Sequence, residues 1–355
     1  MENVVTTQTI ADPGHLSIRI KHIVVGQLTA VVTAPKSRSS AGWFSLQFEI
    51  EETGSKLVKV VLKKTCLSGL KNCGISCGSV IKIHKPGKSV RPIVSAIGSP
   101  TYLLSKWLTK EFENLPIAQS SFSVKNSNEF IKKLNNIQLQ DGEILISFDV
   151  CSLFPSVPIP QILDYLRNLL ELNNFSQEVV NEYINLTKLC MKQNCFQFNN
   201  SFFEQHEGTA MGNSLSPFIA NLFMSRFETD IKEEFEYFPR IWIRYVDDIF
   251  AVFDTKVESV DSFISKLNSR FTSVNFTYEI ENNGQLPFLD VLVIKNNQNN
   301  LEFDIYRKDT STLRYIPNDS HHCYQHKMAS LNFLVHRLLS FPLSKERFEK
   351  REKID

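Results

Sequence analysis

Three aspartates in this 355-residue chain have the surroundings that metal-assisted phosphoryl transfer requires. Asp247 and Asp248 are adjacent inside an apolar segment, and Asp149 ends a second apolar segment far upstream. Two neighbouring carboxylates repel each other, and a divalent ion can supply the compensating charge. A lone Asp-Asp pair is more often a surface turn. Its combination with a strand-end carboxylate favours a metal site.

The pattern predicts two-metal chemistry. If Asp149 and Asp247 lie on neighbouring strands, their oxygens can hold two Mg²⁺ ions about 3.5–4 Å apart. Mg²⁺ suits this site because it prefers a few carboxylates together with phosphate oxygens and water, and Mn²⁺ is a possible substitute. One ion would lower the pKa of a hydroxyl nucleophile, and the other would neutralise a triphosphate. We therefore expect nucleotidyl transfer, with Asp149, Asp247 and Asp248 as the catalytic residues.

Hydrophobic periodicity predicts the elements that must position these residues. The segment 143–149 is a β-type apolar run, and 241–253 indicates two short strands broken at Asp247–Asp248. Further strands are predicted at 18–25, 28–33, 44–50, 276–280, 288–294 and 301–306. Helices are predicted at 102–115, 127–134, 160–171, 176–191, 214–235 and 327–353, with Asn126 or Ser127 capping the second and an acidic outer face on the fifth. Because strands and helices mix without strict alternation, an α+β fold is favoured over a doubly wound sheet.

The distribution of charge indicates a phosphate-facing surface. The net charge is +1, yet no Asp or Glu occurs between Thr53 and Lys110, a window rich in lysine. A solvated Lys-rich face is an equally good interpretation on charge alone.

The seven cysteines are odd in number and irregularly spaced, which indicates a reducing, intracellular environment. Zinc binding by Cys66, Cys73, Cys77 and His84 is a weaker alternative, because their spacing matches no zinc pattern and buried thiols are commoner. No apolar stretch is long enough to cross a membrane, so no membrane partner is expected.

Several motifs in one order resemble reverse transcriptases. Tyr245-Val-Asp-Asp248 is similar to their Tyr-X-Asp-Asp motif, the segment 148–158 to their first carboxylate motif, and 208–221 to the segment between the two. The residues of these motifs are most similar to those of Penelope-like retroelements. Their fingers motif resembles 82–87 with 91–95, their sequence after the palm hairpin resembles Leu286-Pro-Phe-Leu-Asp-Val291, and their thumb start resembles motifs within 306–327.

The resemblance implies a right-hand polymerase with fingers, a partial thumb, and a palm of antiparallel strands and packed helices. Residues 56–305 would form fingers and palm, 306–355 the start of a thumb that is cut short, and 1–55 a region of uncertain fold. An RNA template, a DNA primer and dNTPs would be the partners, and the nucleus the expected location.

The resemblance also assigns roles to individual residues. The Val150 carbonyl would assist Asp149 and Asp247 in metal binding. Lys82 and Arg91 would contact the incoming triphosphate, for which an Arg fork is well suited. A solvated strand lysine is the alternative for Lys82.

Three further residues are expected to contact the nucleotide or its template. Phe154 would lie under the sugar and leave no room for a 2′-hydroxyl. Met211 and Gly212 would lie near the templating base, since glycine permits close backbone approach. Core packing is the alternative for Phe154, and a turn role is the alternative for Gly208 and Gly212.

Two rival functions remain open. A catalytically inactive retroelement remnant would bind nucleic acid through the basic window without synthesis. An RNA-directed RNA polymerase would need space for a 2′-hydroxyl, which Phe154 disfavours.

Overall fold

The computed structural model describes the chain over residues 17–23, 27–33, 45–51, 59–60, 77–81, 90–97, 99–115, 121–192, 194–198, 201–308 and 315–352. The chain divides into two compact units, each made of two separate stretches of sequence. The first unit comprises residues 1–118 and 154–224, and the second comprises 119–153 and 225–355. Asp149, Asp247 and Asp248 all belong to the second unit. Arg91, Phe154, Met211 and Gly212 belong to the first.

The described strands follow one another along the chain as β1 (Ser17–Ile23), β2 (Gln27–Thr33), β3 (Ser45–Glu51), β4 (Lys59–Val60), β5 (Cys77–Ile81), β6 (Val90–Val94), β7 (Glu143–Cys151), β8 (Cys195–Phe198), β9 (Ser201–Glu204), β10 (Ile241–Tyr245), β11 (Asp248–Asp254), β12 (Asn275–Ile280), β13 (Gln285–Phe288), β14 (Val291–Lys295) and β15 (Leu301–Ile305). The described helices are α1 (Tyr102–Glu113), α2 (Ser127–Leu134), α3 (Leu153–Ser156), α4 (Ile159–Leu172), α5 (Gln177–Lys192), α6 (Ser216–Glu234), α7 (Val260–Arg270), α8 (Tyr324–Ser340) and α9 (Lys345–Glu352).

The first unit combines small antiparallel sheets with helices that pack through aromatic rings. Strands β1 to β4 form one sheet in sequence order, β5 pairs with β6, and β8 pairs with β9. The Phe112 ring of α1 lies 5.1 Å from Phe218 of α6 and 5.6 Å from Tyr183 of α5. These rings are buried, so they supply the apolar area that holds the three helices together.

The second unit is built on an antiparallel sheet with the strand order β10-β11-β7-β12. One face packs on a core cluster that includes Phe130, Leu145 and Phe250. On the other face, the Phe148 ring lies 5.4 Å from Trp242 and 5.9 Å from Phe263 of α7. Because both faces are covered, the strands read as nearly continuous apolar runs, and a polar side chain within them must find a partner.

The structure confirms the predicted α+β class with antiparallel strands, and most predicted elements shift by a residue or two. Asn126 caps α2 as expected, its side chain accepting a hydrogen bond from the Glu129 N–H at 3.0 Å. The short hairpin of β8 and β9 was not predicted.

Two predicted boundaries are wrong because single residues interrupt the pattern. The strand predicted over 288–294 is a hairpin of β13 and β14, whose two-residue turn contains Leu289 at φ 56°. The helix predicted over 327–353 is divided into α8 and α9 after Phe341, which has extended backbone before Pro342. The residue before a proline disfavours helical backbone, and proline has no N–H to donate.

Candidate active site

The central sheet of the second unit brings two of the three aspartates directly opposite each other. Asp149, near the end of β7, is the register partner of Asp248, the first residue of β11. Opposed residues of antiparallel strands project from the same face. The neighbours Phe148, Val150 and Ile249 are buried, whereas both aspartates are half-buried. The apolar strands therefore present the two carboxylates together at one sheet end.

Asp247 lies in the turn that joins β10 to β11. Tyr245 pairs with Asp248, so the turn consists of Val246 and Asp247 and not of Asp247–Asp248, as the sequence predicted. Val246 has φ 56°, a conformation that costs a β-branched residue about 1–3 kcal/mol. The Val150 N–H donates to the Asp247 carbonyl at 3.1 Å, which ties the turn to β7.

The donor set at this sheet end fits a hard divalent cation in chemical type. Asp149, Asp247, Asp248 and the Val150 carbonyl all offer oxygen ligands, which Mg²⁺ prefers. Across the described residues, no group of three or more His, Cys, Asp or Glu side chains is arranged to hold a metal ion. The register pair of Asp149 and Asp248 is thus the assembled part of the predicted site.

A buried ion pair that was not predicted from the sequence joins this hairpin to α6. Arg244 of β10 is 1% exposed and Glu228 of α6 is 0% exposed. The Arg244 Nε and Nη2 donate to the two Glu228 carboxylate oxygens at 2.7 and 3.1 Å, and the Trp242 indole N–H donates to the same carboxylate at 3.1 Å. The predicted acidic outer face of this helix is therefore wrong at Glu228. An arginine between Ile243 and Tyr245 in a strand buried on both faces was the available signal, since it requires a buried acid.

The candidate nucleotide residues that the structure describes lie in the first unit. Phe154 is half-buried in α3, and its carbonyl accepts the Thr209 N–H at 2.7 Å. The Met211 carbonyl accepts the Val94 N–H at 2.9 Å. Gly212 has φ 117°, and a Cβ there would lie 2.0 Å from the Val94 carbonyl oxygen. The close approach that requires glycine is thus an approach by this chain's own backbone.

The remaining predicted residues are described in part or not at all. Arg91 lies on β6 opposite Val80. Lys82 lies outside the described residues, as do Cys66, Cys73 and His84 of the zinc alternative. Within the described residues, no helix is long and apolar enough for a membrane span.

Comparison with solved structures found low-identity matches. A telomerase from Candida albicans, in complex with a TWJ fragment of telomeric RNA, is 12% identical over 78% of this chain and 51% of that chain, with a TM-score of 0.49. Apo telomerase from Candida tropicalis is 13% identical over 82% and 58%, with a TM-score of 0.48. The BmCPV RNA-dependent RNA polymerase at quiescent state is 13% identical over 64% and 22%, with a TM-score of 0.43. The chain spans a little over half the length of the telomerase chains.

A search of curated proteins found no significant match. The family model described as reverse transcriptase (RNA-dependent DNA polymerase) matches residues 83–281, which is more than half of the chain and includes all three aspartates. The chain belongs to the reverse transcriptase family.

Proposed function

We propose that this chain is an RNA-directed DNA polymerase domain that extends a primer 3′-end with dNTPs. The observation that carries the proposal is the register pairing of Asp149 with Asp248, next to Asp247 in the adjoining turn. Carboxylates on neighbouring strand ends offer the oxygen ligands with which a protein can hold the ions of two-metal nucleotidyl transfer. Family membership supports the same reaction.

We propose two Mg²⁺ ions as cofactors. Asp149 and Asp247 would hold them with the Val150 carbonyl, and Asp248 would lie beside them. When bound, the ions would activate the primer hydroxyl and offset charge on the triphosphate. The protein's own part is to fix the carboxylates: β7 and β11 set the Asp149–Asp248 pair, and the Val150 N–H restrains the Asp247 turn.

Primer extension on an RNA template tests the proposal. With Mg²⁺ and dNTPs, the protein should lengthen a labelled DNA primer annealed to RNA, and it should prefer dNTPs to NTPs. Salt-dependent RNA binding without extension under Mg²⁺ or Mn²⁺ would instead identify an inactive remnant. Extension with NTPs in preference to dNTPs would identify an RNA polymerase.

Within the family, we propose a Penelope-like subtype. The residue types and order of the motifs at 82–87, 91–95 and 286–291 support this assignment. Sequencing the genomic flanks provides the test, because a GIY-YIG nuclease segment downstream is expected for many members. A nuclease segment of another class in that place would contradict it. We also propose a nuclear location, which a fluorescent fusion would check.

Replacing Phe154 by Val should weaken the discrimination against ribonucleotides. A bulky ring under the sugar excludes the 2′-hydroxyl, and one such apolar contact is worth about 10- to 100-fold in selectivity. Relative incorporation of rNTP and dNTP measures the effect. Phe175→Val is the matched control, because this ring packs 6.0 Å from Tyr183 in the same unit. If both variants, or neither, change the selectivity, Phe154 is not the sugar gate.

A further inference from the structure

The side chain of Arg244 connects the buried interior of the second unit to the turn that carries Asp247. Its backbone is held on both sides. It pairs with Ile249 of β11, its N–H donates to the Phe122 carbonyl at 2.9 Å, and its carbonyl accepts the Val124 N–H at 2.9 Å. Backbone contacts alone therefore fix the position of Arg244 in the sheet, independently of its side chain.

The guanidinium is fixed as well, by an acid on the neighbouring helix. Glu228 receives both arms of the Arg244 fork, and Ser225 lies within 3.4 Å of Nη2. Ser225 and Glu228 are three residues apart on α6, so they share a helix face. Trp242 and Arg244 are two residues apart on β10, so they point to the same side of the sheet.

The Nη1 group of this fixed guanidinium reaches the turn. The Arg244 Nη1 donates to the carbonyl of Val246 at 3.3 Å. The carbonyl of the next residue, Asp247, accepts the Val150 N–H. Consecutive peptide groups are thus held from two directions, although Val246 has an unfavourable positive φ. Strained backbone persists where surrounding contacts determine it.

We infer that the buried Arg244–Glu228 pair is a positioning device, which uses a charge-assisted hydrogen bond to the Val246 carbonyl to hold the Asp247 turn in the conformation that metal binding needs. That Arg244 holds the turn rests on the hydrogen bonds alone. That the held turn serves metal binding rests on the proposed function. Lysine cannot replace the arginine, because an ammonium lacks the planar fork that reaches an acid and a carbonyl at once.

The chain offers a matched control at the other end of the same sheet. Arg240 also binds a buried glutamate through two arms, with Nε and Nη2 at 2.9 and 2.7 Å from the carboxylate oxygens of Glu143. Burial by itself would raise the pKa of Glu143, but the hydrogen bonds from Arg240 and from the Gln140 N–H keep that pKa below its ordinary value. This pair thus resembles the first in chemistry and lies away from the aspartates.

Amide hydrogen exchange on the metal-free protein tests the mechanism. Arg244→Lys should speed exchange at the Val150 amide about tenfold, as expected for the loss of one charge-assisted hydrogen bond, relative to the core amides of Ile249 and Phe250. Arg240→Lys should leave the Val150 amide unchanged. Glu228→Gln provides a second variant if Arg244→Lys does not fold, and it should act in the same direction because it frees the guanidinium. Equal acceleration at Val150 and at the core amides, or no acceleration, would overturn the positioning role.

Binding of Mn²⁺ alone, monitored by electron paramagnetic resonance, tests whether the held turn favours metal binding. Arg244→Lys should raise the Mn²⁺ dissociation constant about tenfold in line with the looser turn, and Arg240→Lys should not. Unaltered Mn²⁺ affinity in Arg244→Lys would contradict the inference. If the unsubstituted protein binds no Mn²⁺, the proposed function fails, while the exchange result still decides whether Arg244 holds the turn.

Discussion

Asp247→Asn is expected to abolish RNA-templated primer extension, with a loss of at least about 10³-fold in rate. Metal-assisted charge stabilisation contributes several kcal/mol, and each 1.36 kcal/mol corresponds to a factor of ten. Asparagine keeps the size of the side chain and is well tolerated in turns. The loss should therefore appear as lost chemistry in a folded protein, which single-turnover extension and thermal unfolding together would establish.

Thermal unfolding with and without Mg²⁺ adds a reading that does not depend on activity. A ligand that binds the native state at a hundred times its dissociation constant stabilises it by about 2.7 kcal/mol. Mg²⁺ should raise the unfolding temperature of the unsubstituted protein and raise that of Asp247→Asn much less. Asp141→Asn is the control, because this carboxylate is 94% exposed just before β7, at the opposite end of that strand from Asp149. Retained activity in Asp247→Asn would remove Asp247 from the metal site.

The same assay separates the roles of the two adjacent aspartates. The register places Asp248, not Asp247, opposite Asp149, whereas the family resemblance assigns the ligand role first to Asp247. If Asp248→Asn loses more activity than Asp247→Asn, the opposed strand pair is the main metal-binding unit. Comparable losses would indicate that all three carboxylates act together.

The sequence was sufficient for the elements whose residues are spaced by one regular pattern. The strand that ends near Asp149 is a continuous apolar run, and α2 begins at a capping asparagine, so both were predicted closely. Asp149, Asp247 and Asp248 could be grouped because carboxylates are costly within apolar strands. Their site roles stay predictions that the experiments above test.

What the sequence could not supply depends on contacts between distant residues. The turn lies at Val246–Asp247 because β10 and β11 pair in a register that includes Asp248, and register is set across strands. Glu228 looked like one of several solvated acids on a helix, and its burial follows from Arg244, which reaches it from a separate strand. Helical periodicity alone places acids on the outer face, and it cannot identify one that a distant cation neutralises.

Gly212→Ala is expected to destabilise the first unit by about 3 kcal/mol or more. An L-residue at φ 117° is strained by about 1–3 kcal/mol. A Cβ at 2.0 Å from the Val94 carbonyl oxygen must also displace backbone, and overpacking of this kind typically costs about 1–3 kcal/mol. In a unit of this size the unfolding temperature should fall by about 6–12 °C, which calorimetry would measure.

Gly284→Ala is the control for a glycine that has a positive φ without a severe clash. Gly284 has φ 70°, at the left-handed region that L-residues can adopt at modest cost, and its added Cβ would lie 3.3 Å from the nearest atom, the Lys295 carbonyl oxygen, so both the backbone strain and the crowding are smaller than at Gly212. Gly212→Ala should therefore be clearly more destabilising than Gly284→Ala. Equal losses would contradict the added cost expected from the φ of Gly212 and its close approach to Val94.

Gly212→Ala should also affect nucleotide binding. Val94 ends β6, the strand that carries Arg91, and Arg91 is the proposed contact of the incoming triphosphate. The Val94 N–H donates to the Met211 carbonyl while its own carbonyl abuts Gly212, so β6 is fixed at this point. Displacing Val94 would move the strand, and the KM for dNTP should rise more than kcat falls. A pure turn role for Gly212 predicts lost stability with an unchanged KM at temperatures where the variant is folded. The KM measured well below the unfolding transition therefore distinguishes a turn glycine from one that positions the strand carrying Arg91, the proposed contact of the triphosphate.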